Sequence, residues 1–399
     1  MTPLVQSNQL GPQTKIGGAH CTALPLINPK TQVLGALRRN AALSGCGIRS
    51  SHRISSLSQA GSLQVFDVPA AIKVSKCTSY ELFNVCGTFG IAINASGTIA
   101  GYYNNSNHVV AAFIRTAGGT YRSFQAPGAT GLTLPYEITN AGAIVGQYPD
   151  AGFVLHGFLR RKNGGFLTYE APWASQIPND SVSQGTAFGA INAAGETGGI
   201  YFDAQGVLHG YLRYRNGTAV QIVPKGSTTS TVCLVCLNNS GTAAGNYSGS
   251  DGIVRGYIRS AAGAIRTIAK PGALETVPSG LNNGNRVLGF YVDKNSVVWG
   301  FIVGGNKRRI VFQDPKASTT YGNGTQPEAI NDAGAVTGLY ADAQGDVHGF
   351  YRSPTGRFSE FDPTGSVYTL PFAINASGTV TGYWYDAQGG NHGFIWTPQ

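Results

Sequence analysis

The sequence has little charge, few cysteines and no long apolar run, and each shortage closes off a class of protein. Charged residues are 12% of the 399, and residues 1–61 hold no Asp or Glu. The formal net charge of +9 is therefore uneven: Lys15, Lys30, Arg38, Arg39, Arg49 and Arg53 place +6 in the opening segment and leave +3 for the rest. A body so near neutrality offers no clustering of Lys and Arg with aromatics, so no nucleic-acid partner is expected. No stretch approaches the roughly 18 apolar residues a membrane span requires, so no span is expected. Six cysteines are too few for a disulfide-dense scaffold. Walker A, GxSxG and HExxH patterns are also missing, and no cofactor is expected.

What the chain has instead is glycine, 56 residues of it, with many Tyr, Phe, Thr and Asn. Gly and Asn tolerate positive φ in tight turns, while aromatic and β-branched residues fill pleated faces. The class is all-β. A core phrase recurs: an apolar residue, usually Asn, a short Gly turn, then Gly, an aromatic, Asp and His-Gly-Phe. It reads AINASGTIAGYYNNSNHVVAAF from Ala92, AINAAGETGGIYFDAQGVLHGY from Ala190 and AINDAGAVTGLYADAQGDVHGF from Ala329. Its anchors, Ile93, Ile138, Ile191, Leu237, Leu281, Ile330 and Ile374, recur every 44 to 53 residues, the length of a propeller blade.

Each copy parses into four strands, the fourth ending at a Pro that cannot continue a ladder. These ends fall near Pro127, Pro172, Pro224, Pro271, Pro315 and Pro363, and the chain stops at Pro398 with the last copy one strand short. Leu63 to Pro69, LQVFDVP, carries the fourth-strand signature ahead of every core phrase. The expected fold is a seven-bladed β-propeller of four-stranded blades over residues 62–399, closed by pairing this N-terminal strand with the C-terminal blade, and monomeric. Closure removes the loose sheet edge that invites aggregation. Residues 1–61 lack the apolar core of a secretory signal and read as a disordered leader, or as a start codon set too early.

A residue that recurs in every copy belongs to the fold more than to a single active centre. Tyr103, Tyr148, Tyr201, Tyr247, Tyr291, Tyr340 and Trp384 are such a set, expected to pack between blades with their polar tips satisfied. Asp150 and His156, Asp203 and His209, Asp342 and His348, and Asp386 and His392 stand six apart and vary together. They are expected to touch across a turn, the carboxylate fixing the imidazole tautomer. One His per blade, far from the axis, makes no metal site. Asn-x-Ser/Thr triplets such as Asn94-Ala95-Ser96 and Asn375-Ala376-Ser377 are explained by turn chemistry, with glycosylation the alternative. Cys236 fills a slot that Ala holds elsewhere and reads, like Cys233, as a small buried thiol. Cys77 and Cys86 share one long insertion and could form a disulfide if the protein is exported.

The core phrases resemble the HAF-type extracellular repeat family, over residues 62–399 and in all seven copies. The resemblance implies a secreted or surface propeller-like protein of bacterial type, with no defined activity. The position where the copies differ is then the place to look. Long loops at Ala70 to Phe89, Trp173 to Ala187 and Lys316 to Pro327 share a face with the Asp-His hairpins. Glu137 stands where other copies have Ala, Gly or Cys; Glu328 lies one step earlier in its own copy, and Tyr136 and Phe372 could frame a pocket. The expected function is non-catalytic recognition of a glycan or protein through the variable loops. The alternative is a propeller enzyme, a polysaccharide hydrolase or lyase or a lactonase, with Glu137 and Glu328 as acid and base.

Overall fold

The computed structural model describes residues 61–72, 86–177, 184–304 and 309–399. Residues 1–60, the bulk of the expected leader, lie outside the described residues. Every regular element among the described residues is a strand.

β1 (Gly61–Phe66) precedes a run of four-stranded antiparallel meanders, each starting at its innermost strand. The first is β2 (Thr88–Ile93), β3 (Ile99–Asn104), β4 (Val110–Arg115) and β5 (Tyr121–Phe124). Next come β6 (Leu134–Ile138), β7 (Ile144–Pro149), β8 (Leu155–Arg160) and β9 (Phe166–Tyr169), then β10 (Gly185–Ile191), β11 (Thr197–Phe202), β12 (Leu208–Arg213) and β13 (Ala219–Ile222). β14 (Ser227–Leu237), β15 (Ala243–Gly249), β16 (Val254–Arg259) and β17 (Ile265–Ile268) follow. After them lie β18 (Glu275–Leu281), β19 (Val287–Val292), β20 (Val298–Val303) and β21 (Arg309–Phe312). β22 (Gly324–Ile330), β23 (Val336–Ala341), β24 (Val347–Arg352) and β25 (Phe358–Phe361) form the next meander. The last has three strands of its own, β26 (Ser366–Ile374), β27 (Val380–Asp386) and β28 (Asn391–Pro398), and β1 pairs antiparallel along the outer edge of β28, Gly61 opposite Pro398 and Phe66 opposite Gly393. The innermost strands adjoin in order, β2 beside β6, β6 beside β10 and onward, with β26 beside β2. The architecture is all-β and propeller-like.

Every innermost strand has a bulge at the same place, at Ile91, Tyr136, Gly189, Val235, Ser279, Glu328 and Phe372. Two residues before it a carbonyl leans on the second strand: a Cβ on Gly101 would lie 2.0 Å from the Phe89 oxygen, and one on Gly146 2.0 Å from the Leu134 oxygen. The repeated second-strand Gly is therefore required by close backbone approach.

Three kinds of contact join neighbouring blades. The third-strand Arg lies over an aromatic ring of the preceding blade's outer strand, Arg160 over Phe124 at 4.8 Å, Arg213 over Tyr169 at 5.1 Å and Arg352 over Phe312 at 4.9 Å. A buried Thr at the start of the innermost strand accepts a backbone N–H from the loop before it, as Thr133 does from Ala126 and Thr186 from Ala171. The turn Asn does double duty. Its Oδ1 closes the turn by accepting from Ser96 and Thr98 N–H in the case of Asn94, while its Nδ2 donates to the matching carbonyl of the next blade. Asn192 thus reaches Asn238, Asn238 reaches Asn282, Asn282 reaches Asn331, Asn331 reaches Asn375 and Asn375 reaches Asn94, at 3.0 to 3.2 Å. The same three contacts occur where first and last sheets meet: Arg115 lies 5.0 Å over Phe66, Thr88 accepts from Val68 N–H, and Asn375 serves as the link to Asn94.

Candidate functional site

The loops that follow the outer strands share one face with the hairpins between second and third strands, as hydrogen bonds from Thr130 N–H to the Pro149 oxygen, Ser175 N–H to Phe202 and Ser318 N–H to Ala341 show. The Asn turns lie at the other end of the innermost strands. Residues 73–85 and 178–183 of the long loops lie outside the described residues.

In each Asp-His hairpin the two side chains meet. One Asp oxygen accepts turn N–H groups, as Asp203 Oδ1 does from Gln205 and Val207, and the other meets the imidazole: Nε2 to Oδ2 is 3.0 Å in Asp150–His156, 2.9 Å in Asp203–His209, 3.4 Å in Asp342–His348 and 3.2 Å in Asp386–His392. The ring stacks on the preceding aromatic, with centroids 4.8 Å apart for Tyr201 and His209 and 4.6 Å for Trp384 and His392. Trp299 and Arg255 occupy the His place elsewhere, bonded to Asp293 and Asp251. Sequence reasoning missed a second carboxylate: Nδ1 of His156 meets Glu170, that of His348 meets Asp362 at 2.8 Å, and that of His392 meets Asp67, on the N-terminal segment, at 2.9 Å. The signal was the acid just after Phe or Tyr in YEAP, FDP and FDVP. Burial opposes charging of His348, but hydrogen bonds and charge from Asp362 and Asp342 outweigh it and hold the imidazole pKa above its ordinary value. Four of the repeated aromatics find a partner within their own blade, Tyr103 Oη donating to Ser123 Oγ at 2.9 Å, Tyr201 Oη accepting from Gln221 at 2.6 Å, and Tyr148 and Tyr247 meeting Thr168 and Thr267, whereas the buried Trp384 Nε1 has none, against the expectation that every tip is satisfied.

The central residues divide into two groups. Tyr136, Glu328 and Phe372 are all bulge residues, half-buried on the innermost strands, and Glu137 follows its bulge. Phe372 stacks on Tyr383 with centroids 5.3 Å apart, Tyr383 meets Phe89 edge-on at 4.7 Å, and Phe89 stacks on Tyr102 at 4.7 Å. Glu328 lies near Tyr383, and its Oε1 accepts from Gln326 Nε2 at 2.7 Å. Glu137 belongs with other neighbours: its Oε2 accepts from Ile191 N–H of the next blade at 2.8 Å, and it acts on Cys236, whose thiol burial pushes up. Burial raises Glu137 to about 7 against the Ile191 hydrogen bond, and Glu328 to about 8 against the Gln326 one. Burial and the nearby Tyr102 push Tyr136 well above the usual phenol range.

Four side chains around this centre keep buried polar atoms without a protein partner: both amide atoms of Gln147 and of Asn246, Gln326 Oε1 and Tyr136 Oη. Leaving such an atom unmatched costs about 1–3 kcal/mol, so these are sites where a further partner pays a return. Gln147 and Asn246 occupy the place held elsewhere by Tyr102, Ile200, Phe290, Leu339 and Tyr383; the polar change inside a repeating phrase was the signal that could have found them.

The exposed large apolar side chains among the described residues fall into two sets. Val65, Ile310 and Val311 lie on outer strands; Phe153, Trp173, Ile177, Val223, Ile253, Leu274 and Tyr321 lie in loops and hairpins of the loop face. Phe153 is 75% exposed and holds φ at +59°, at the hairpin place where His108 and Ser296 also take positive φ and Gly206, Gly345 and Gly389 stand in other copies. An aromatic residue at positive φ is strained, a condition concentrated at binding and catalytic sites.

Cys86 is disulfide-bonded; Cys77, its expected partner, and the Cys233 side chain lie outside the described residues. Cys236 is free and half-buried. The Asn94 and Asn375 amides are committed to Thr139 and Asn94, which favours turn chemistry over glycosylation there.

No family model and no curated protein sequence matches the chain. Solved structures do. A streptogramin B lyase aligns over 84% of this chain and 98% of its own, with TM-score 0.52 and 12% identity. A catalytically inactive variant of virginiamycin B lyase from Staphylococcus aureus with quinupristin aligns over 84% and 99%, with TM-score 0.51 and 12% identity. The acylaminoacyl peptidase of Pyrococcus horikoshii aligns over 77% of this chain and 51% of its own, at TM-score 0.50 and 11% identity. At such identities the likeness is one of fold: the chain shares its propeller-like all-β architecture with these proteins.

Proposed function

We propose that the chain is a seven-bladed ring, closed by β1 on the edge of β28, that works as a monomeric, non-catalytic binding module outside the cell or on its surface. Membership of the HAF-type repeat family, suggested by the core phrases, is part of the same proposal. The ligand is a glycan or a protein met by the loop face, and a glycan fits best. The observation that carries this is Phe153, an exposed aromatic ring held in a strained backbone conformation on the face where the exposed Trp173 and Tyr321 also lie. Aromatic rings there offer the flat apolar surface on which sugar rings stack. A second reading, an enzyme acting on a polysaccharide or lactone, draws on the near-neutral pKa values of Glu137 and Glu328. Against it, the two carboxyls are held by different partners, Ile191 and Gln326.

Phe153→Gly tests the proposal on a glycan array. The substitution relieves the positive φ, so the variant melts at or slightly above the wild-type temperature, by about 1 kcal/mol of added stability. Its array signals fall. Unchanged signals would contradict the reading, and turnover of an array ligand by either protein would favour the enzyme.

A further inference from the structure

The face opposite the loops is built of turns, and its exposed charge is mostly of one sign. The turn between first and second strands packs there against the turn between third and fourth. A Cβ on Gly97 would lie 3.4 Å from the Ala117 Cβ, one on Gly142 3.4 Å from Lys162 Cγ, and one on Gly241 3.4 Å from the Ala261 Cβ. Pro398, at the end of β28, belongs to the same face, 3.1 Å from a Cβ built on Gly378.

From these turns Arg161, Lys162, Arg215, Arg286 and Arg357 stand exposed, spread over four blades. Among the described residues the ion pairs of Lys and Arg are Arg255–Asp251 and Lys316–Glu360, neither of them at these turns. Two acids share the face, and asparagines hold both: Glu196 accepts from Asn192 Nδ2 at 2.7 Å and Asp332 from Asn283 N–H at 2.8 Å. The carboxylates gather at the other face, where the hairpins bring Asp150, Asp203, Asp251, Asp293, Asp342 and Asp386. The near-neutral body is therefore two-sided in charge.

The chain also enters the propeller at the turn face. Gly61, the first residue of β1, stands opposite Pro398. The segment that ends there, residues 1–61, carries +6 and no acid, so it adds to the field of the face instead of neutralising it. Cations dispersed over four blades trace no single groove. The exposed large apolar side chains of the described residues lie on outer strands and on the loop face, which leaves the turn face none to insert or to stack on a base. Such a face complements an extended anionic surface, to which each added Lys or Arg contributes.

We propose that the turn face docks on an anionic lipid bilayer, which it meets by charge without insertion, so that the loop face points away from the membrane. Charge complementarity and the entry of a like-charged leader at the same face select this occupant. The proposal is independent of the glycan reading, which concerns the opposite face.

The test sediments the full chain with vesicles of phosphatidylcholine alone and of equal parts phosphatidylcholine and phosphatidylglycerol, at low salt and at about 0.5 M salt. The chain pellets with the phosphatidylglycerol vesicles at low salt, stays in solution with phosphatidylcholine alone, and is released by high salt. Lys162→Glu, Arg215→Glu and Arg357→Glu together weaken binding about a hundredfold or more. Lys225→Glu, Lys270→Glu and Lys294→Glu make the same change in net charge at exposed positions of the loop face and leave binding within about threefold of wild type. Gln at the three turn positions repeats the loss, by about tenfold or more, without adding carboxyls. A chain that does not pellet with phosphatidylglycerol vesicles overturns the proposal. So does equal loss in both triple Glu variants, which reduces the effect to net charge, or binding unaltered by the turn-face variants, which leaves it to the leader alone. A wild-type chain that ignores the vesicles but binds heparin also overturns it, in favour of an anionic polysaccharide.

Discussion

Glu328 sets out the chemistry of the centre at the scale of one residue. Burial raises its carboxyl to about 8 while Gln326 donates to it. A carboxyl whose folded pKa lies above its unfolded value binds its proton more tightly in the native state. Its stabilising contribution is complete below about pH 4.5 and is lost as pH rises through about 8. Glu328→Gln keeps a neutral side chain at every pH, so it should match wild type near pH 4 and exceed it by on the order of 2 kcal/mol near pH 9, read from denaturant unfolding at both values. Equal pH slopes for the two proteins would refute this account of Glu328. Glu137 and Glu328 were legible as odd members of a repeating phrase. The Ile191 N–H that holds Glu137 and the Tyr383 ring near Glu328 were not, because both belong to other copies and only the fold brings them in.

At the scale of elements, a turn and a staple are built from one side chain. Asn282 accepts from Arg286 N–H through Oδ1 and donates to the Asn331 carbonyl through Nδ2 at 3.1 Å. Asn282→Ala removes both and should cost about 2 kcal/mol, whereas Thr139→Asn supplies the missing donor toward Asn192 and should add about 1 kcal/mol, both measured by chemical denaturation. A neutral Asn282→Ala would reduce the staple to a turn. The strand order within a blade, the Gly turns and the Asp-His contacts were readable from periodicity and spacing. The staple was hidden because turn chemistry already explained the Asn, and its amide partner is 44 to 49 residues away. The shared bulge was hidden too, since an extra residue in a strand leaves no mark in composition; its trace was the invariant second-strand Gly that the bulge's neighbouring carbonyl requires.

At the scale of the molecule, the account turns on the two ends of the propeller being one sheet. β1 runs in register along β28, Phe66 receives Arg115 from the β2–β5 blade, and Asp67 completes the carboxylate pair around His392. Residues at opposite ends of the sequence thus make contacts that recur at other junctions between neighbours. That part was legible because a fourth-strand phrase stood ahead of the first copy and the last copy ended one strand short. The most direct measurement is calorimetric melting of a chain beginning at Gly61 against one beginning at Pro69. The account expects the first to melt in a single cooperative transition and the second at a distinctly lower temperature, or in steps, with β28 exposed as an unpaired edge. Identical transitions would contradict it.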